Sequence, residues 1–264
     1  MAGLGVLTAL GMFIVLVAGD TVTDTGSAQG CGPSWPLCRG QFIPQFAVTT
    51  AIEFTHRALT GIETVLVVLL VIGLLWLYWR RTSAWVVSIL LVGTLLLQAG
   101  LGAWAVMEPL NPWILATHFG VSLLCFAGAV LACAAVRWPD RVLQPQGTPR
   151  GVIAAVWGVA VYLYLMVYSG AYVAHAGAAT ACGTGWPICD PVGPPGLVAV
   201  NMVHRTGAVV ATLLAIALLL LLRWRAGERR DLVGGAWWFV AAILAQAVAG
   251  AVLVFSNQDL FGQL

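Results

Sequence analysis

Residues 213–222 read LLAIALLLLL, ten consecutive apolar residues inside a longer apolar segment. The strands of a transmembrane β-barrel alternate apolar and polar residues, and this run has no such period of two. The only other structure that satisfies every backbone polar group in lipid is the α-helix. The run therefore predicts a membrane-spanning helix.

The composition of the whole chain agrees with this interpretation. Of its 264 residues, 61% are hydrophobic and 8% are charged, whereas a soluble domain carries about 25% charged residues. So few charges cannot cover the surface of a water-soluble fold of this size, which excludes a cytosolic globular enzyme, a nucleic-acid-binding protein and a disordered chain. A net charge of +2 does not indicate an anionic partner. The sequence predicts an all-α integral membrane protein in contact with the lipid bilayer.

Seven segments are long and apolar enough to cross the hydrocarbon core, which needs about 20 helical residues. They lie near 4–22, 52–79, 84–107, 113–136, 151–173, 199–222 and 233–255.

The arginines predict the orientation of these spans. All twelve basic residues are arginines, and nine of them lie in three loops on one side, at 80–81, 137–150 and 223–230. By the positive-inside rule this side is cytoplasmic, and the N-terminus with it. The long loops at 23–50 and 174–198 are then extracytoplasmic.

The two halves of the chain repeat each other. Motifs before and inside the long loops recur 151 positions later, and motifs after them recur 148 positions later. The pairs are CGPSWPLC (31–38) and CGTGWPIC (182–189), His56-Arg57 and His204-Arg205, and Gln98-Ala99 and Gln246-Ala247. We interpret the chain as tandem four-helix repeats, two bundles that are parallel copies, with domains at 1–137 and 151–264.

The second copy is shorter than the first. The first copy continues from Gln98 to His118 in its fourth span, and the same offset puts the counterpart of His118 near position 266. The sequence given ends at Leu264. We therefore expect seven of eight spans here, with the sequence cut short before the eighth.

Three of the four histidines occupy positions defined by the repeat: His56, His118 and His204. Facing histidines on bundle helices can hold a haem iron between two imidazole nitrogens, so all three are candidate iron ligands. The alternative is a helix-end histidine that is hydrogen-bonded to a loop. Zinc would need three or four close ligands, which the spacing does not offer, and no C-x-x-C-H motif for covalent haem is present. We interpret the fourth histidine, His175, as a loop residue.

Charged residues accompany the candidate ligands. Arg57 and Arg205 follow their histidines directly and could bind haem propionates bidentately, or could act as interfacial anchors. Glu53 precedes His56 by three residues and shares its helix face, whereas Asn201 occupies the equivalent position in the second copy. This difference indicates unequal roles for the two sites. Glu63, deeper in the same span, receives no role.

Four of the six cysteines lie in the long loops, at Cys31, Cys38, Cys182 and Cys189. Both pairs are seven residues apart in a compartment that permits disulfides, so we expect two bridges. Four free thiols or a redox-active pair remain the alternatives. Cys125 and Cys133 lie inside a span and are expected to be packing residues.

Together these motifs resemble the haem A synthase family, in its bacterial form with cysteine pairs in the outer loops. The resemblance rests on TGS at 25–27, EFTHR at 53–57, ATHFG at 116–120 and the two cysteine loops. The second half agrees through SGAYV at 169–173 and His204-Arg205, so the likeness covers essentially the whole chain.

The resemblance implies an enzyme of the bacterial cell membrane that converts haem O to haem A. Members hydroxylate the C8 ring methyl twice, and loss of water then leaves a formyl group. The N-terminal copy would bind the substrate haem through His56 and His118, with Glu53 as the catalytic residue. The C-terminal copy would bind a haem b cofactor through His204. Haem O synthase, assembly factors of the terminal oxidase and an electron donor are the implied partners.

Two other functions remain open at this stage. One is a bis-histidine membrane cytochrome b that only transfers electrons. Such a carrier requires one haem at each membrane face, whereas the histidines here predict both haems at the outer face. The other is a haem transporter or chaperone.

Overall fold

The computed structural model of the protein describes residues 1–44, 47–109, 111–143 and 147–256. Seven helices in these ranges are long and apolar enough to cross a membrane, which confirms the predicted all-α integral membrane fold and its seven spans. An eighth, one-turn helix follows the fourth span. In chain order the helices are α1 (Ala2–Asp24), α2 (Val48–Tyr78), α3 (Thr82–Met107), α4 (Pro112–Arg137), α5 (Pro139–Val142), α6 (Arg150–His175), α7 (Pro195–Arg225) and α8 (Arg230–Phe255).

The chain forms two compact units, residues 1–146 and 147–264. In the first unit α1 packs against α2 and α4, and α3 packs against α4 and α2. In the second unit α7 packs against both α6 and α8. Each histidine-bearing helix (α2, α4 and α7) therefore packs against the long helix that precedes it in the same unit.

The core of the first unit combines large and small side chains. Val67, Leu70 and Leu74 of α2 are fully buried, and α4 contributes small residues to the same cluster, the alanines at 129, 132 and 135. In lipid there is no water to expel between helices, so association depends on close van der Waals packing, which small residues permit.

α1 and α4 come close together at Gly5. A Cβ built on Gly5 would lie 3.0 Å from the Cα atom of Cys133 and 3.0 Å from Cγ2 of Val136. Only a residue without a side chain lets the two backbones come this near.

Both helices that lead into the long loops end in the same motif. Gly26 and Gly177 have positive φ angles of 62° and 69°, a conformation that favours glycine after a helix. The residue after each glycine donates its backbone N–H to a carbonyl of the last helical turn. These bonds run from Ser27 N to Val22 O at 2.8 Å and from Ala178 N to Val173 O at 3.0 Å. The repeated glycines of the sequence thus turn the chain from the helix into the loop.

The α3–α4 connection fixes the start of the helix that carries His118. Trp104 and Asn111 donate side-chain hydrogen bonds to Glu108 at 2.9 and 3.0 Å, and these bonds hold the pKa of the Glu108 carboxyl below its usual value. Asn111 Oδ1 in turn accepts the backbone N–H of Trp113 at 3.1 Å and caps α4.

The Gly5 contact predicts a specific sensitivity of the first unit. Substituting Gly5→Leu should overpack the α1–α4 crossing and destabilise the fold by about 1–3 kcal/mol. Gly3→Leu is the matched control, because a Cβ on Gly3 meets no atom within 4 Å in the described structure. Thermal unfolding of the detergent-purified variants measures the difference. Equal midpoints for the two variants would contradict this packing.

Candidate functional site

The two long loops, defined here by their described residues as the first loop (25–44) and the second loop (176–194), are each closed by a disulfide. Cys31 is bonded to Cys38 and Cys182 to Cys189, with Cα–Cα distances of 4.5 and 4.8 Å. This confirms both predicted bridges. Cys125 and Cys133 are free thiols packed within the first unit.

A buried ion pair on α2 holds the first loop. Glu53 is 3% exposed; its Oε2 accepts the backbone N–H of Cys31 at 2.8 Å, and its Oε1 pairs with Arg57 Nη2 at 2.6 Å. Arg57 Nη1 donates to the carbonyl oxygens of Ser34 and Leu37 at 2.6 and 2.8 Å. Because Glu53 and Arg57 are four residues apart on one helix face, a single turn of α2 binds both ends of the disulfide-closed segment.

Thr50, at the start of the same helix, adds a third attachment. Its hydroxyl donates to Gly30 O at 2.8 Å, and the guanidinium of Arg39 donates to the same carbonyl at 3.2 Å. A Cβ on Gly30 would lie 2.7 Å from the backbone nitrogen of Thr50, so the loop backbone rests directly on the first turn of α2.

The second loop is held at the equivalent positions by different chemistry. Asn201 is buried and donates to the carbonyl of Ala178 at 2.7 Å, while Arg205 Nη1 donates to Gly185 O at 2.5 Å. Gly185 is the counterpart of Ser34, 151 positions later, so the arginine contact is conserved between the two units. Arg205 Nη2 is buried, and in the described ranges it has no hydrogen-bond partner.

Each candidate histidine lies over a glycine of the preceding long helix. A Cβ on any of these glycines would lie about 3 Å from the imidazole Cε1, which leaves no space for a side chain. The pairs and distances are Gly19 with His56 at 2.9 Å, Gly102 with His118 at 3.1 Å and Gly170 with His204 at 3.0 Å.

Polar neighbours orient two of the rings. The side-chain amide nitrogen of Gln98 lies 3.2 Å from His118 Nε2, and the same amide donates to the hydroxyl of Ser122. The hydroxyl of Ser169 lies 2.8 Å from His204 Nδ1. Such contacts select the tautomer and fix the ring plane of an imidazole.

The structure brings some predicted site residues together and separates others. Glu53, His56 and Arg57 lie within one turn of α2, whereas His118 enters from α4 against α3. Both predicted propionate-binding arginines contact loop carbonyls, so their role towards a haem stays a prediction. His175 is the last residue of α6 and not a loop residue, because the helix ends only two residues before the positive-φ glycine at 177.

Comparison with known proteins identifies the family. The COX15-CtaA family, described as "Cytochrome oxidase assembly protein", matches residues 2–264. The chain belongs to this family. This confirms the resemblance found in the sequence motifs.

Relatives of this family align along most of their length. A protein of Symbiobacterium thermophilum named "Heme A synthase" is 40% identical over 267 residues, which is 96% of this chain and 85% of the relative. Proteins of the same name from Bacillus pumilus and Shouchella clausii are each 36% identical and cover 96% of this chain and 85% and 86% of their own lengths.

The glycines that face the histidines in this family member were not predicted from the sequence, although they repeat between the two halves. Gly19 and Gly170 are related by the 151-residue offset, and Gly102 and Gly250 by the 148-residue offset. This repetition was the available signal. The role of Thr50 could not be predicted from the repeat, because the equivalent residue of the second half is Val198.

The first-loop contacts predict how the loop responds to loss of Arg57. Arg57→Met removes the charge-assisted hydrogen bonds that hold the first loop on α2. Losing about 1.5 kcal/mol or more of this hydrogen-bond energy should let the loop open more often, so reduction of Cys31–Cys38 should be at least about tenfold faster. Timed alkylation and mass spectrometry after adding a water-soluble phosphine measure the rate. The Cys182–Cys189 bridge of the same molecule is the internal control. Equal acceleration of both bridges, or of neither, would contradict the assignment.

Proposed function

We propose that this protein is a haem A synthase, a membrane oxidoreductase that converts haem O to haem A. Two successive hydroxylations of the C8 methyl produce a hydrated aldehyde, and loss of water leaves the formyl group. The observation that carries this proposal is the difference between two otherwise equivalent sites: a carboxylate, Glu53, in the first unit and an amide, Asn201, in the second. The names of the relatives support the same reaction.

The donor set fits a haem. An imidazole that binds iron must be held in a fixed orientation, and each candidate histidine packs against the glycine backbone of the preceding long helix. We assign His56 and His118 of residues 1–137 to the iron of the substrate haem. His204 of residues 151–264 would be an axial ligand of the cofactor haem b. When bound, this cofactor supplies one-electron chemistry, and the protein supplies position and dielectric.

Glu53 is suited to move a proton during oxidation of the methyl group. Its two oxygens are fixed by Cys31 N–H and Arg57, one turn from His56, so the carboxylate cannot rotate away from the site. A positioned carboxylate of this kind acts as a general base or acid. Asn201 cannot take this role, because an amide does not titrate.

The two arginines would differ in their contact with a haem. Arg57 has a carboxylate partner of its own, so its charge is already neutralised. Arg205 keeps a buried nitrogen without a partner in the described ranges, the state expected of a guanidinium that binds an anionic group such as a propionate. We therefore assign a propionate contact to Arg205 first and to Arg57 second.

We further propose a bacterial cell membrane location with the N-terminus cytoplasmic and both disulfide loops extracytoplasmic. Nine of the twelve arginines on one side support this orientation. Haem O synthase and oxidase assembly factors are the proposed neighbours, together with an electron donor.

Feeding haem O to membranes that contain the protein, followed by mass spectrometry of extracted haems, tests the proposal. We expect haem A and a hydroxylated intermediate, both absent from membranes without the protein. Unchanged haem O with a reducible bound haem would instead indicate an electron-transfer cytochrome. Unchanged haem O that has moved between membranes would indicate a transporter.

Glu53→Gln should keep haem O bound but lower the rate of haem A formation at least about 10²-fold, the usual contribution of a general acid or base. The amide oxygen can still accept the Cys31 N–H, so the loop stays attached. Thr50→Val is the matched control, because it removes a loop contact and leaves the carboxylate. A normal haem A yield from Glu53→Gln, or an equal loss in Thr50→Val, would refute the assignment.

A further inference from the structure

A second buried carboxylate lies deeper in the first unit. Glu63 of α2 is 3% exposed, and its Oε1 accepts no hydrogen bond within the described ranges. A charged carboxylate at this depth is expensive, which favours the neutral acid. The mechanism proposed above does not use it.

Glu63 and His56 are connected by a polar face of α2. His56, Thr60 and Glu63 are spaced i, i+4 and i+7, which places them in one row along the helix. The row faces α1: a Cβ on Gly19 would meet the His56 ring, and a Cβ on Gly11 would overlap the Glu63 carboxylate. The rise between His56 and Glu63 is about 10 Å at 1.5 Å per residue, so a proton needs an intermediate between them.

The polar row ends at Glu63 on one side and continues through Thr60 to the histidine on the other. The next residues on this side of α2 are Val67, Leu70 and Leu74, all fully buried and apolar. Thr60 Oγ1 donates to the carbonyl of Arg57 and keeps its lone pairs available. His56 Nδ1 is buried and has no hydrogen-bond partner among the described residues.

The second unit lacks this row at the equivalent positions. Thr60 and Glu63 correspond to Ala208 and Ala211, 148 positions later, and Gly11 corresponds to Tyr162, 151 positions later. The Tyr162 hydroxyl donates to Gly207 O at 3.0 Å, and the sulfur of Met166 abuts Gly207. In the second unit, large side chains therefore occupy the space that α1 leaves free for a carboxylate in the first unit.

Few other titratable groups face Glu63. From α4, Cys125 interacts with it electrostatically. Residues 2–19 of α1 and the whole of α3 contain no ionisable side chain. On α2 itself the other ionisable side chains are Glu53, His56 and Arg57, on the side towards the first loop, and Tyr78 at the opposite end of the helix.

We propose that Glu63 is a proton store for the first-unit histidine site, reached through the hydroxyl of Thr60 and bridging water. The O–H bond of the acid breaks, and the proton passes through the Thr60 hydroxyl to water at the first-unit histidine site. The carboxylate later regains a proton from that water by the same route, without any change in electrons. The inference rests on the proposed function only for the purpose of the stored proton. Electron transfer at a haem in the first-unit histidine site would change the local charge, and a nearby proton would compensate that change.

Infrared spectroscopy of the full-length purified protein tests the store directly. A protonated carboxylic acid has a carbonyl band that a carboxylate lacks and that shifts when its proton exchanges with D₂O. We expect such a band at neutral pH that is absent in Glu63→Gln and displaced in Glu63→Asp. Absence of a band difference between the wild type and Glu63→Gln would overturn the proposal.

The route through Thr60 has its own matched pair of variants. Thr60→Val should slow deuterium exchange of the band at least about tenfold, whereas Thr64→Val, which removes an exposed hydroxyl on the same helix, should leave it unchanged. Equal exchange in Thr60→Val and wild type, or equal slowing in both variants, would overturn the route. The band is read whether or not haem O is oxidised, so failure of the proposed reaction and failure of the store are separate results.

Discussion

The side chains of one helical turn bind each disulfide loop, and the arrangement of both candidate sites depends on this interaction. In the first unit Glu53 and Arg57 satisfy backbone groups of the loop, and His56 lies between them on the same turn. Buried backbone groups must find partners, so loop and helix cannot separate without losing several hydrogen bonds. The histidine and the loop are therefore fixed relative to each other by one short segment of sequence. In the second unit Arg205 and Asn201 play the same structural part around His204.

Duplication conserves this scaffold and changes its charges. The arginine contact, the disulfide and the glycine below each histidine recur, since they set geometry. The carboxylates do not recur: Glu53 is replaced by Asn201 and Glu63 by Ala211. A protein that only carried electrons between two haems would have no need of titratable groups at one of them alone. Buried carboxylates at Glu53 and Glu63, with no acidic counterpart in the second unit, fit the proposed reaction, which involves protons.

Much of this arrangement could be predicted from the sequence, because it depends on local patterns. Apolar length predicts the spans, and a shared offset reveals the repeat and its paired cysteines. The acceptors of Arg57 and Arg205 could not be predicted, because a guanidinium next to a histidine looks the same whether it binds a propionate or a loop carbonyl. Glu63 received no role for a related reason. Its significance depends on which residue of α1 faces it, and helix-to-helix contacts are set by packing between distant segments.

The central claim is that the two units bind different haems, and the haems retained by histidine variants test it most directly. Full-length protein purified after feeding with haem O should contain haem b together with haem O or haem A. The account predicts that His56→Ala and His118→Ala lose haem O and haem A while keeping haem b, and that His204→Ala loses haem b selectively. Loss of the same haem from the variants of both units would contradict it.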